Sequence, residues 1–401
     1  MNEALFILIL GTLIVMSVFA SSCLKRAGIP SLVGFILLGV AIRVVGDPAG
    51  FLSTRSEEIF KLLGRLGVIC LLFRVGLESD IKSLLRQLRH ASVIWACDVA
   101  VSGFVGFAAS HWLLGMHFVP SLFIGAAMTA TSVGVSVDTW RGAGALESRR
   151  GKLLIDVAEM DDISGVVVMA LLFSIAPLLK TGGESFLLGR VAKTLGFTIV
   201  KLFGFGAFCF IFSRFLEQRF TGFIRKMEHR PGPMISIAGT AIIMAALAGL
   251  LGFSVAVGAF FAGLVFSRDP KAVKMDTAFD SVYALFVPFF FIHIGLSMKP
   301  GVFLDALWIG LFLVLFAAAG KLVGAGGGTR LFTGWRGTLL VGMSMIPRAE
   351  IAMIIVQKDL SLGDWAMPHE LFGGMIVVSM LSCLGVPVLL RRMLLRWKDS
   401  L

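Results

Sequence analysis

The 401-residue chain is poor in charge. Only 15% of its residues are Asp, Glu, Lys or Arg, against roughly 25% in a soluble domain. Hydrophobic residues make up 57%, and the mean hydropathy is +0.92. That balance excludes a water-soluble fold, and the apolar runs are long enough for membrane helices rather than barrel strands. Cysteine is scarce too. Cys23, Cys70, Cys97, Cys209 and Cys383 are scattered, with no CxxC, so neither a disulfide framework nor a thiolate metal site is indicated. No nucleophile–base pair and no metal-ligand spacing stands out, which argues against an enzyme. No soluble domain is expected at either end. The tail after Leu390 is about a dozen residues, too short to bind a nucleotide. The first apolar run, 4–24, lacks a basic lead-in and follows Glu3, so it reads as a retained span and not a signal peptide.

The formal net charge of +11 would point to nucleic acid in a soluble protein. Here the basic residues sit in short loops between spans, as membrane orientation requires, and no nucleic-acid partner is expected. Apolar windows give about thirteen spans, at 4–24, 30–46, 58–77, 90–114, 119–139, 152–179, 191–213, 233–251, 252–267, 279–298, 302–326, 336–357 and 370–390. Alternate loops carry most of the 36 basic residues. Examples are Lys25-Arg26, the group from Arg141 to Lys152, the cluster from Arg214 to Arg230, and Arg391 to Lys398. This places the C-terminus in the cytoplasm and the N-terminus outside. Thirteen spans divide as six, one and six, and the two sixes then have opposite topology, the pattern of inverted-repeat transporters.

Two spans carry features that interrupt a helix. The fifth contains Thr129-Ala130-Thr131-Ser132-Val133-Gly134, and the twelfth Ile346-Pro347-Arg348-Ala349-Glu350. Proline removes an intrahelical donor. In lipid such a break survives only where it is buried in protein or lines a wet cavity. Both lie fifth in their half of the chain.

The sixth span carries two adjacent acids, Asp161 and Asp162, in an otherwise apolar run. One charge at mid-membrane costs about 2.5–3.5 kcal/mol even on a lenient insertion scale, and two neighbours repel each other. Carboxylates persist there where they alternate between a proton and another cation. Lys321, deep in the eleventh span, is a natural counter-charge, and a static salt bridge is the plain alternative. A cation that displaces the lysine leaves it unpaired where the charged form is costly. Thr131 and Ser132 offer hydroxyl oxygens to a hard monovalent cation, with Thr129 beside them. Arg348 and Glu350 are read either as mutual partners or as compensating the ends of a broken helix.

The chain resembles the monovalent cation:proton antiporters of the second class, most closely the NapA-type bacterial sodium/proton antiporters. The matching residues are Gly125 through Gly134, Asp161-Asp162, Gly258-Ala259-Phe260-Phe261-Ala262-Gly263 and Gly320-Lys321-Leu322-Val323-Gly324. Phe73-Arg74-Val75-Gly76-Leu77-Glu78 and Pro347-Arg348-Ala349-Glu350 add to them. The resemblance implies an all-α polytopic membrane protein with two inverted repeats and crossed broken helices. It implies an elevator-type homodimer in lipid, without a cofactor, exchanging Na+ (or Li+, or K+) for H+ across the cytoplasmic membrane of a prokaryote. A dimerisation part is expected at about 1–89 and 233–300, a core at about 90–179 and 301–391, and a linker helix at 191–213. Asp162 would be the principal cation and proton site, with Asp161 as its neighbour on the Na+. Asp161 would pair with Lys321 when no cation is bound, and relatives with this set look electrogenic. Potassium-efflux relatives carry Gln-Asp and a nucleotide-binding domain, and this chain matches neither.

Several residues depart from the family pattern. Asp156 is expected to be solvated near the cytoplasmic end, and Glu159 to line a cytoplasmic funnel that draws in cations. Arg74 is expected to snorkel to the surface. His293 is read as a buried, hydrogen-bonded histidine or as a contributor to pH dependence.

Overall fold

The structure, a computed structural model, describes residues 3–26, 28–49, 52–79, 81–181, 187–217, 219, 222, 233–267 and 276–397. All its regular elements among these residues are helical. In a bilayer every backbone N–H and C=O must find its partner within the protein, and a helix does this within one segment.

The helices run α1 (Glu3–Arg26), α2 (Ser31–Ala49), α3 (Thr54–Glu78), α4 (Ile81–Ala108), α5 (Phe118–Thr129), α6 (Val133–Gly142) and α7 (Arg149–Thr181). They continue as α8 (Leu187–Ile211), α9 (Pro233–Leu250), α10 (Val255–Phe266), α11 (Asp276–Leu296), α12 (Phe303–Ser344), α13 (Glu350–Leu360) and α14 (His369–Arg396). Eight stretches among the described residues are long and apolar enough to cross a membrane, counting α5 with α6 as one. Shorter apolar segments lie at Ser31–Gly46, Ala238–Leu250 and Val255–Phe266.

Each expected span falls on a helix, with two informative differences. The eleventh and twelfth spans are joined in α12, broken only at Gly334, whose φ of 69° suits a residue without a Cβ. The expected fifth and twelfth spans are each two half-helices. The fifth is α5 and α6, parted at Ala130-Thr131-Ser132; the twelfth is the end of α12 and α13, parted at Met345 to Ala349. The tight turn between α9 and α10 uses Gly252 at φ 88°, and Ser254 caps α10 by accepting from the Ala256 N–H at 3.3 Å. Much of the basic-loop pattern, including 223–232, 268–275 and 398–401, lies outside the described residues.

The chain divides into two compact units. The first comprises Met1–Leu52, Ile81–Gly165 and Ile294–Leu401. Its core gathers Ile94, Trp140, Leu154, Val157, Leu340 and Ile346. The second comprises Ser53–Asp80 and Val166–His293. There α3 and α10 meet backbone to backbone, because a Cβ on Gly76 would collide with Phe260 and one on Gly263 with Phe73. Phe73 meets Phe266 and Phe279 edge-on, with ring centroids 6.3 and 5.2 Å away. His293 packs against Gly64 of α3 in this second unit. Arg74 bonds Glu78 at 2.7 Å and Asp280 of α11 at 2.8 Å, and sits over the Tyr283 ring. It therefore ties two helices together as well as reaching outward.

Candidate functional site

The site is built where the two broken helices cross in the first unit. A helix end leaves backbone groups unpaired, and here each break supplies partners to the other. The Ser132 N–H donates to the Pro347 carbonyl at 2.8 Å. Thr131 Oγ1 donates to the Met345 carbonyl at 3.2 Å, and Ser136 Oγ to the Ser344 carbonyl at 2.7 Å. Trp140 Nε1 donates to Ser344 Oγ at 2.8 Å. Behind the second break, Ser382 of α14 accepts from the Arg348 N–H at 3.1 Å.

Charges sit where the half-helix dipoles call for them. The negative end of α5 meets two cations: Lys321 Nζ donates to the Thr129 carbonyl at 2.5 Å, and Arg348 Nη1 donates to the Ala130 carbonyl. Glu350 opens α13, at its positive end, and accepts from Ser132 Oγ. Arg348 and Glu350 thus follow the helix-end reading. The Thr131 and Ser132 hydroxyls spend their protons on this crossing, so their oxygen lone pairs remain for a cation. Thr129 Oγ1 instead donates within its own helix, to Ala126 at 2.8 Å.

Helix α7 brings its acids to the crossing. A Cβ on Gly165 would meet Ile351 at 3.1 Å and Ala130 at 3.5 Å, so this face of α7 lies against both broken helices. Asp161 is fully buried, whereas Asp162 is half-buried. Asp161 Oδ2 lies 3.4 Å from Lys321 Nζ, and its Oδ1 has no hydrogen-bond partner among the described residues. Asp156 is 4% exposed, which corrects its expected place in solvent. One α7 turn or so from the Asp pair, it faces protein. Glu159 is half-buried.

Sequence reasoning overlooked Asp98. It is fully buried on α4, and its Oδ2 lies 2.5 Å from Lys321 Nζ, closer than Asp161. Ser102 Oγ donates to its Oδ1 at 2.9 Å. The approach depends on a glycine stripe on α12. A Cβ on Gly320 would meet Ser102 Cα at 3.2 Å, on Gly324 Asp98 Cα at 2.9 Å, and on Gly328 Ile94 Cα at 2.9 Å. The signal that exposes Asp161 was available for Asp98 as well, an acid inside an apolar run from Ile94 to Val105.

Among the described residues no three His, Cys, Asp or Glu side chains cluster as a metal site. A cation held here would need the Asp161–Asp162 carboxylates together with hydroxyl and carbonyl oxygens. That donor set suits a hard monovalent ion.

The family model for the transmembrane sodium/hydrogen exchanger matches residues 9–396. The chain belongs to that family. This exchanger is 29% identical over 373 residues to the Na(+)/H(+)-K(+) antiporter GerN of Bacillus cereus, covering 91% of this chain and 90% of GerN. It is 28% identical over 396 residues to the Na(+)/H(+) antiporter of Enterococcus hirae, covering 96% and 97%. In structure it resembles the sodium proton antiporter MjNhaP1 of Methanocaldococcus jannaschii, with TM-score 0.73, 16% identity and coverage of 99% and 98%. That likeness supports the all-α fold described above.

Proposed function

We propose that this exchanger moves sodium or lithium against protons across the cytoplasmic membrane by alternating access, with Asp162 as the residue where cation and proton compete. The observation that carries this reading is the contrast within the acid pair. Asp162 is half-buried beside a fully buried Asp161 that touches Lys321, all at the crossing of two helix breaks. A carboxylate that holds either a proton or a cation, never both, gives obligatory exchange without hydrolysis.

In this reading sodium meets Asp162 and Asp161, with Thr131, Ser132 and freed carbonyls as further ligands. Thr129, Arg348 and Glu350 hold the breaks in shape, and Glu159 draws cations toward the pair. The core, at about 90–179 and 301–391, moves in elevator fashion against a dimerisation part at about 1–89 and 233–300, joined by the linker at 191–213. The protein works as a homodimer in lipid, N-terminus outside and C-terminus in the cytoplasm. Electrogenic exchange, more than one proton per cation, needs a second group to discharge when the cation arrives, and in this reading that group is Lys321. One proton per cation follows if it keeps its charge.

The test is reconstitution in liposomes with an imposed proton gradient and a pH-sensitive dye. Sodium, lithium and potassium are added in turn to wild type and to Asp162→Asn. Sodium or lithium should collapse the gradient, and the variant should not respond. Full activity in the variant would sink the assignment. A potassium response equal to sodium would favour a broad monovalent exchanger, in line with the similarity to the Na(+)/H(+)-K(+) antiporter GerN. No response to any cation by folded protein would point to a sensor or channel.

A further inference from the structure

Lys321 has three N–H donors and three acceptors on different elements: Asp98 on α4, the Thr129 carbonyl at the end of α5, and Asp161 on α7. They are unequal. Asp98 and Thr129 lie at 2.5 Å and Asp161 at 3.4 Å. The ammonium therefore sits closer to Asp98 and the Thr129 carbonyl than to Asp161, which it still reaches, and Asp161 Oδ1 has no hydrogen-bond partner among the described residues. Lys321, Asp98 and Asp161 are all fully buried.

A buried lysine with one counter-ion is a strong competitor for that carboxylate, because leaving it strands a charge away from water. A second carboxylate removes the penalty. Asp98 is built to be that second partner. Ser102 orients it, and Gly320, Gly324 and Gly328 let α12 carry Lys321 against the α4 backbone.

We infer that Asp98 is a positioning residue of the exchange site: it shares the Lys321 ammonium with Asp161, weakens the Lys321–Asp161 bond, and so lowers the competition of the lysine with the transported cation at Asp161. The inference rests on the exchange reading above. It requires no contact between Asp98 and the cation. The sign follows from the geometry. Without the Asp98 charge, Asp161 is the ionic partner left to Lys321 among the described salt bridges, and Lys321 moves onto it and competes with the cation.

The experiment is a sodium chloride titration of proton-gradient collapse in proteoliposomes, comparing wild type, Asp98→Asn, Asp98→Glu and Ser102→Ala. Asp98→Asn should raise the apparent KM for sodium by about tenfold, the scale of one charged hydrogen bond, with kcat within about twofold because Asp162 is intact. Asp98→Glu should bring KM back toward wild type. An unchanged KM, or a fall in kcat alone, would overturn the inference and leave Asp98 as a structural bridge. Where thermal melting shows Asp98→Asn unfolded, Ser102→Ala decides. Loosening the Asp98 carboxylate should raise KM about two- to threefold, the scale of one ordinary hydrogen bond, and no rise would overturn the inference. Absence of exchange in wild type would remove the functional reading itself, and this inference with it.

Discussion

The α3–α10 contact in the second unit and the α4–α12 contact in the first use the same device for different ends. In both, glycines let two helix backbones touch: Gly76 and Gly263 in one, Gly320, Gly324 and Gly328 in the other. Beside the first contact lie Phe73, Phe266 and Phe279, a buried aromatic cluster. Beside the second lie Asp98 and Lys321, fully buried and 2.5 Å apart. Small residues give close packing in lipid whatever flanks them. What the contact does is decided by the side chains set next to it. Apolar neighbours make a joint, and opposite charges make a buried ion pair, which in the exchange proposed above a travelling ion would disturb.

This comparison breaks most sharply when the charge is removed. Lys321→Met leaves Asp98 and Asp161 buried without their cation, a change that typically costs about 3–5 kcal/mol. Purified variant should melt well below wild type, and its proteoliposomes should show no sodium-driven gradient collapse. Phe73→Ala should cost a similar amount, about 3–5 kcal/mol, through the cavity it leaves. Its folded fraction, however, should keep the wild-type KM for sodium, because the aromatic contact holds no ion. A changed KM there would erase the distinction between the two contacts.

The next test applies one insult to both. Gly76→Val and Gly324→Val each force a side chain between touching backbones, an overpacking cost of about 1–3 kcal/mol. Thermal melting should fall in both. Only Gly324→Val should raise the sodium KM, because it alone pushes Asp98 away from Lys321. Glu159→Gln gives the smallest effect. A lost charge beside the pathway, screened by salt, should raise the cation KM by about twofold at low ionic strength and less at high. An unchanged KM at low salt would remove Glu159 from the pathway.

Much of the architecture was legible because lipid leaves few options. Apolar runs must be helices, and the patch at Thr129 to Gly134 and the run from Pro347 to Glu350 mark spans that cannot stay regular. Both breaks fall where those residues stand. The pairing of Asp161 with Lys321 was legible for the same reason, since a charge in a span is costly without a counter-charge. Asp156 was misplaced because nearness to a span end says nothing of what neighbouring helices cover. The partners of Arg348 and Glu350 stayed open because adjacency in sequence suggests a mutual pair. In the fold, Arg348 turns to Ala130 and Glu350 receives Ser132, residues on the other broken helix.

The sequence by itself thus determined which segments are apolar enough to cross the membrane, which two of them break, and that Asp161, Asp162 and Lys321 lie inside spans, because each of these follows from local composition and the cost of polar groups in hydrocarbon. Only the tertiary structure decided which carboxylate holds Lys321. Asp98 lies 223 positions away from it, and no local pattern encodes the glycine-lined approach of α12 to α4 that brings the two within hydrogen-bonding distance.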